Sequence, residues 1–263
     1  VQHVNGMFGL AIWDGDQEKL LLYRDRLGKK PLYYSRHQGQ IAFGSEIKAL
    51  LVNPMVSRDL DLSSLLNYLS LKNTSAPNTA YQDINQLLPG HFLVWQDGQV
   101  VVKRFWQADF APLDDSISES DVCEMLLKLL DDSVRRRMDC DAPYGAYLSG
   151  GVDSSVITAL MTRHQKTTLN TFCLGYAEPA KGQFQGKSDD MRFARLISEK
   201  LGTRHHEYIL SADEFARDLP DVLKAFDEPF SGTVSTYFLS KLICQHVKVA
   251  ISGDGADELF ASY

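Results

Sequence analysis

No apolar stretch in this sequence approaches the roughly 20 residues that a membrane-crossing helix needs, so a membrane partner is not expected. Cysteine is scarce: Cys123, Cys140, Cys173 and Cys244 are the whole complement and show no C-x-x-C spacing. Three of them fall inside apolar patterns, which predicts buried free thiols in a reducing compartment. Basic residues are outnumbered, 27 lysines and arginines against 34 aspartates and glutamates, for a net charge of −7. One basic block, Arg135-Arg136-Arg137, closes an amphipathic helical pattern, where positive charge meets the negative end of the helix dipole. A nucleic-acid surface is therefore not expected. Internal repeats are absent.

What is present, 263 residues with 44% hydrophobic and 23% charged, suits a soluble globular protein of one or two domains. The two halves differ in pattern. Residues 7–105 alternate short β-like runs with turns: Met7–Trp13, Leu20–Arg24, Leu32–Ser35, Ile41–Gly44, His91–Gln96 and Gln99–Phe105. Asp14-Gly15-Asp16, Gln38-Gly39 and Asp97-Gly98 are hairpin signals, and Leu62–Leu71 reads as a helix capped by Asp61 or Ser63. Ala108–Ser120, rich in Asp, Ser and Pro, reads as a linker, so domains are expected at 1–112 and 113–263. Beyond it the pattern alternates. Helix Ser120–Met138 leads to strand Tyr144–Leu148, helix Ser154–His164 and strand Leu169–Leu174. Helix Asp190–Leu201, strand His206–Leu210, helices near Asp213–Phe226 and Ser235–His246, and strand Val247–Ile251 follow. That order predicts an α/β fold with a doubly wound parallel sheet. Gly175–Ser188 reads as a surface loop.

Two segments in the second half carry chemistry. Ser149-Gly150-Gly151-Val152-Asp153-Ser154-Ser155 follows the apolar run Tyr147-Leu148 and opens a helical pattern. A strand, a small-residue turn and a helix start make an anion cradle, because backbone N–H groups and the positive helix end point at one spot. The spacing and the missing lysine exclude a Walker A loop. Asp153 would repel a phosphate unless a divalent cation stood between them, which predicts a site for Mg²⁺ and pyrophosphate, the leaving group when ATP is cut between its α and β phosphates. Ser252-Gly253-Asp254-Gly255-Ala256-Asp257-Glu258 likewise follows a strand pattern and precedes a helix. If both strands lie in one parallel sheet, the two loops open at the same carboxyl edge, where open α/β sheets bind ligands. Alone, such a loop reads more readily as an N-cap with a tight glycine turn; the two together, each behind a buried strand, do not.

The pair resembles the pyrophosphate loop and the downstream acidic loop of the glutamine-dependent asparagine synthetases. Further blocks agree in order along the chain. They are Gly6-Met7-Phe8, the run from Arg24 to Tyr34 (R-D-R-L-G-K-K-P-L-Y-Y), the run from Ser45 to Leu50 (S-E-I-K-A-L), Leu88-Pro89-Gly90-His91, and the run from Leu201 to Glu207. The resemblance implies part of an N-terminal-nucleophile glutaminase β-sheet domain, then an ATP-pyrophosphatase domain of the adenine nucleotide α-hydrolase-like fold. It also implies a fragment, beginning past the family's nucleophilic cysteine and stopping inside the synthetase domain, so glutamine hydrolysis by this chain is not expected.

The implied roles follow the motif positions. Ser149, Gly150, Gly151, Asp153, Ser154 and Ser155 would hold pyrophosphate, with Leu148 and Val152 in the same nucleotide-binding stretch. Adenine would be read near Tyr147 and Leu174, and the ribose or α phosphate by Ser252 and Gly253. Asp153 and Asp257 would ligate Mg²⁺. Asp254 stands where the family has an acidic residue that assists amide formation, and equally reads as a loop-shaping turn. Ala256, Ala261 and Ser262 replace common family glycines. Asp227-Glu228-Pro229-Phe230 reads as a turn set by Pro229 or as support near aspartate. His205-His206-Glu207 is not expected to bind a metal, since adjacent strand residues face opposite ways, and Lys29 reads as solvated. The implied reaction is asparagine synthesis from aspartate, ATP and glutamine-derived ammonia, in the cytoplasm, by a homodimer of the full-length protein. The alternative is a related amidotransferase or a β-lactam-synthetase-like enzyme that adenylates another carboxylate.

Overall fold

A computed structural model describes residues 1, 3–110, 116–177, 190–229 and 234–260. The chain divides into two compact units: Val1–Pro112 with Phe226–Gly232, and Leu113–Ala225 with Thr233–Tyr263.

The first unit is built from β1 (Gly9–Asp14), β2 (Lys19–Arg24), β3 (Tyr33–His37) and β4 (Gln40–Gly44), followed by α1 (Ile47–Leu50) and α2 (Leu62–Leu71). It continues with β5 (Ile84–Gln86), β6 (His91–Gln96) and β7 (Gln99–Arg104). Two antiparallel sheets result, ordered β1-β2-β6-β7 and β4-β3-β5. Gln38-Gly39 and Asp97-Gly98 close two of the hairpins with φ of 47° and 78°, and 47° and 75°. Positive φ at both central turn residues matches the right-handed twist of the strands it joins. Alternation in β2 turns Leu20 and Leu22 inward, where they pack with Leu93 of β6 and with Leu32, Tyr34 and Leu87. Of the two caps expected for α2, it is Asp61 whose carboxylate accepts from the Ser63 and Ser64 amides.

The Arg24–Tyr34 run is explained by backbone satisfaction. Asp25 is 2% exposed. Its carboxylate accepts four backbone N–H groups, from Phe8 (3.3 Å), Leu27 (3.2 Å), Lys29 (3.0 Å) and Lys30 (2.9 Å). Arg24, also buried, donates to the carbonyls of Lys30, Leu87 and Gly28. An irregular loop is thus held by one charge of each sign, with its buried polar groups paired.

Two short elements, α1 and β5, have no period that a sequence pattern could show. They form because other segments complete them: β5 pairs with β3, and Asp227 accepts from the Ile47 amide at 2.6 Å and the Lys48 amide at 3.4 Å. Glu228 accepts from the Ala80 amide at 2.7 Å and the Thr74 hydroxyl at 3.1 Å. Asp227 and Glu228 therefore belong by their contacts to the first unit. Phe230 lies outside the described residues.

The second unit runs α3 (Glu119–Met138), β8 (Tyr144–Tyr147), α4 (Val152–His164), β9 (Asn170–Tyr176), α5 (Asp190–Leu201) and β10 (Arg204–Leu210). It continues with α6 (Ala212–Ala225), α7 (Ser235–Ile243), β11 (Val249–Ile251) and α8 (Ala256–Phe260). Its four strands are all parallel, in the order β10-β9-β8-β11. Helices cover both faces. Val134 and Met138 of α3 and Leu160 and Met161 of α4 pack on Ala146 and Ile251, and Ala194 of α5 packs on Leu148 and Cys173. Ile243, which closes α7, packs on Phe172, whose side chain faces opposite to that of Cys173. His205 and His206 separate in the same way: His205 meets Thr171 at 3.0 Å, and the His206 ring stacks on His246 with centroids 3.9 Å apart.

Of the three cysteines expected to be buried, the structure buries one. Cys123, Cys140 and Cys244 are exposed, and Cys173 alone is buried. The core contacts of α3 come from Leu130, Val134 and Met138, so Cys123 sits on turns that do not reach the core. Cys140 and Cys244 lie just past the ends of α3 and α7, in chain leaving the packed face. No helix among the described residues is long and apolar enough to cross a membrane. Most of the expected Gly175–Ser188 loop, the middle of the Ala108–Ser120 linker, and Ala261 and Ser262 lie outside the described residues.

Candidate functional site

The strand order decides where a ligand can enter. From β8 the chain steps outward to β9 and β10, then returns to place β11 on the other side of β8. The topological switch thus falls between β8 and β11, and open α/β sheets bind ligands outside the carboxyl ends of the strands at that point. The two aspartate-bearing loops emerge there.

The first loop is shaped by what its glycines and hydroxyls cannot avoid. Gly150 has φ +81°, and a Cβ there would lie 2.5 Å from the Phe193 Cβ and 2.6 Å from the Ala194 nitrogen, so the position demands glycine. Ser154, 7% exposed, uses its hydroxyl inside the loop. It donates to the Gly151 carbonyl at 3.2 Å, accepts from the Ser149 amide at 3.2 Å, and lies 3.0 Å from the Ser149 hydroxyl. The Gly151 amide donates to the Ser149 hydroxyl at 3.3 Å. No side chain caps α4 at Gly151, which leaves the first amides of a 13-residue helix to a ligand or to water.

The second loop abuts the first. A Cβ on Gly253 would lie 2.8 Å from the Asp153 Cβ and 2.9 Å from both the Asp153 carbonyl carbon and the Ser154 nitrogen. Asp254 is folded onto its own loop: its carboxylate accepts from the Ser252 hydroxyl at 3.0 Å, and its amide donates back at 3.4 Å.

Both loops open into one cavity of about 750 Å³. Ser149, Gly151, Asp153 and Ser154 line it from the first loop, and Ser252, Gly253, Asp254 and Asp257 from the second. Tyr147, Leu148 and Leu174 line it from the strand ends. Gly150, Val152 and Ser155 do not: Gly150 is turned against Phe193, the Val152 side chain is exposed, and the Ser155 hydroxyl is buried without a hydrogen-bond partner. Sequence reasoning passed over Asp190, which starts α5, and Ser235 and Thr236, which start α7, although all three line the cavity. A helix start following a strand is the signal that could have found Asp190; α7 follows α6, so no such signal marks Ser235 or Thr236. Cys173 lines it too, its thiol pushed up to about 12, chiefly by burial. The wall carries five carboxylates, on Asp153, Asp190, Asp254, Asp257 and Glu258, and no lysine, arginine or histidine among the described residues.

The Asparagine synthase family profile matches residues 125–263, more than half of the chain. The chain belongs to the asparagine synthase family. A second profile, Glutamine amidotransferase domain, matches residues 1–106. Among relatives, the protein named Asparagine synthetase [glutamine-hydrolyzing] 3 of Bacillus subtilis (strain 168) is 32% identical over 276 residues, covering 100% of this chain and 44% of its own length. The one numbered 1 in the same organism is 32% identical over 263 residues, covering 99% of this chain and 40% of its own. The chain thus spans less than half the length of these curated relatives. Among solved structures, an NMN synthetase from Francisella tularensis aligns with 56% of this chain and 59% of its own, at 20% identity and a TM-score of 0.36, a likeness too slight to add to the topology.

For this family member a divalent cation fits the residues present. Among the described residues no group of three or more histidines, cysteines and carboxylates is placed to hold a metal. Asp153 and Asp257 offer two hard oxygen donors on loops in van der Waals contact. Magnesium is bound in that fashion, by one or two carboxylates, with substrate phosphates and water completing its shell.

Proposed function

We propose that this chain carries the nucleotide-cleaving part of a glutamine-dependent asparagine synthetase, with residues 1–112 belonging to its glutaminase domain and 113–263 to its synthetase domain. The β-carboxylate of aspartate attacks the α phosphorus of ATP, giving β-aspartyl-AMP and pyrophosphate; ammonia released from glutamine then displaces AMP. The observation that carries this reading is the contact of the two aspartate loops at the switch point, where Gly253 leaves no room for a Cβ against Asp153. Backbone amides at the start of α4, with the Ser149 hydroxyl, would hold the departing pyrophosphate, and the Ser149–Ser154 pair keeps that loop in shape beforehand. Asp153 and Asp257 would hold Mg²⁺, which when bound neutralises charge on the leaving group. Leu174 and Tyr147 would flank adenine, and Ser252 and Gly253 the α phosphate. Asp254 would act in the amide-forming step through its place in the wall, while its hydrogen bonds with Ser252 shape the loop. The acidic net charge supports small molecules rather than nucleic acid as partners, and the same reading makes the protein cytoplasmic and homodimeric.

Asp153→Asn should abolish aspartate- and ATP-dependent pyrophosphate release. Calorimetry with magnesium pyrophosphate gives the sharper test. Asp153→Ala and Asp257→Ala should each weaken binding about tenfold or more, and the double variant should lose much less than the sum, as expected of two groups serving one ion. Metal-independent binding or additive losses would refute a shared ion.

A further inference from the structure

The cavity wall is made of two kinds of surface. The two loops bring hydroxyls, backbone amides and carboxylates. The strand ends and α7 bring an apolar stretch: Tyr147, Phe172, Leu174, Tyr176 and Leu239. Tyr147 and Leu239 pack against the buried cluster of Phe172, Ile243 and Val247, so most of this stretch also serves the core. Tyr176 does not. It is 46% exposed, and among the described residues its side chain makes no hydrogen bond and no ring contact.

Its place follows from the sheet. Side chains two apart along a strand share a face, so Phe172, Leu174 and Tyr176 of β9 look the same way. Their cover thins towards the carboxyl end: Phe172 is buried, Leu174 half-buried and Tyr176 exposed. Tyr147 is level with Phe172 across the β8–β9 ladder, and the Leu148 amide still donates to the Phe172 carbonyl at 2.9 Å. By the same count Ser149, where the first loop begins, comes level with Leu174. Tyr176 then stands two residues, about 7 Å, farther out. The backbone that carries it is fixed on the other side. Tyr176 pairs with Leu210 of β10, and the next amide, that of Ala177, donates to the Leu210 carbonyl at 2.9 Å. An aromatic ring that the fold leaves unused is thus held at the cavity by a paired strand.

We propose that Tyr176 is a base-contacting residue of this cavity: its ring stacks on the base of a nucleotide whose phosphates lie at the start of α4, the sugar spanning the step from Ser149. This rests on the nucleotide reading given above and extends its base site beyond Tyr147 and Leu174. Leucine gives a base apolar contact alone, whereas an aromatic ring lies flat against its π face. Stacking of a base on an aromatic side chain strengthens binding roughly 5- to 150-fold. The face is common to all bases, so Tyr176 sets how tightly a base is held and leaves the choice of base to groups that meet its edge.

The test compares Tyr176→Ala and Tyr176→Phe with the wild-type chain. Calorimetry uses magnesium ATP and, as a ligand with phosphates and no nucleoside, magnesium tripolyphosphate. Tyr176→Ala should bind magnesium ATP about tenfold more weakly and magnesium tripolyphosphate as the wild type does. Tyr176→Phe keeps the ring and should bind both near wild type. Melting temperatures should stay close to wild type, since the fold does not use the side chain. Unchanged affinity of Tyr176→Ala for magnesium ATP would overturn the inference. So would an equal loss for both ligands, which would mean that Tyr176 shapes the cavity and touches no base. A loss in Tyr176→Phe as large as in Tyr176→Ala would assign the contact to the hydroxyl and overturn the stack. Should Tyr176→Ala not fold, Tyr176→Leu takes its place, apolar but without a π face, and must show the same selective loss. A wild-type chain that binds neither ligand would sink the nucleotide reading itself, and this inference with it, whereas each outcome above leaves that reading standing.

Discussion

Replacing Gly253 with alanine puts the central geometric claim at risk. The glycine does not need an unusual backbone there; it needs the absence of a methyl group. The added Cβ would stand 2.8 Å from the Asp153 Cβ and 2.9 Å from the Asp153 carbonyl carbon and the Ser154 nitrogen. Carbon atoms at rest sit at about 3.5 Å or more, so the loops must part by roughly 0.7 Å, and two of the three clashing atoms are backbone that cannot rotate aside. Overpacking of this kind costs about 1–3 kcal/mol. If the strain is relieved by separating Asp153 from the second loop, affinity for magnesium pyrophosphate should fall roughly 5- to 100-fold. Gly255→Ala is the control. Its φ of +98° strains an alanine, yet a Cβ there meets nothing within 4 Å, so it should cost about 1 kcal/mol of stability with a smaller effect on affinity. Calorimetry and thermal melts on the two variants give both numbers. Wild-type affinity and melting temperature in Gly253→Ala would mean that the loops do not touch, and the shared site would fall with them.

Asp25→Asn leaves two of the four backbone amides around this buried side chain facing an NH₂ group, since each carboxylate oxygen accepts two of them; a loss of about 1–3 kcal/mol is expected in chemical denaturation, and no loss would refute the pairing. Burial, more than the opposing Ala80 and Thr74 hydrogen bonds, holds the Glu228 carboxyl above its ordinary value. A raised carboxyl stabilises the fold below its unfolded pKa and loses that contribution as pH rises through the folded value, so Glu228→Gln should gain on wild type in melting temperature from pH 4 towards pH 7, and a flat or opposite difference would contradict the shift. Thiol labelling at pH 8 should modify Cys123, Cys140 and Cys244 in the native protein and Cys173 only after denaturation, because Cys173 is both buried and protonated; fast labelling of Cys173 would disprove its burial.

Much of the fold was legible where the deciding interactions are local. Gln38-Gly39 and Asp97-Gly98 carry their turn geometry in their own φ preferences, and alternation in β2 already points Leu20 and Leu22 inward. The helix–strand alternation after residue 118 likewise announces parallel strands. Legibility failed where a distant partner completes the element. The first amides of α1 find their acceptor 180 positions away, and β5, three residues long, exists through β3. Cys123 lies in a pattern that reads as apolar, but which turns of α3 meet the sheet is a property of the packed unit. In the candidate site, residue types marked both loops, while the meeting of those loops depended on strand order. The commitment of the Ser154 hydroxyl to its own loop, and the arrival of Ser235 and Thr236 in the wall, follow from three-dimensional neighbours that no spacing encodes.

The five carboxylates of the cavity wall, with no basic side chain among the described residues, bear on traffic into the site. A nucleotide without its metal brings four more negative charges to a surface already of that sign. On the proposed nucleotide reading, such a wall would turn bare ATP away and admit it when the counter-charge travels with it. Uncomplexed ATP in excess over magnesium would then be a bystander and not a competitor. Moderate salt, which screens repulsion between like charges, would speed entry where a lysine-lined nucleotide site is slowed.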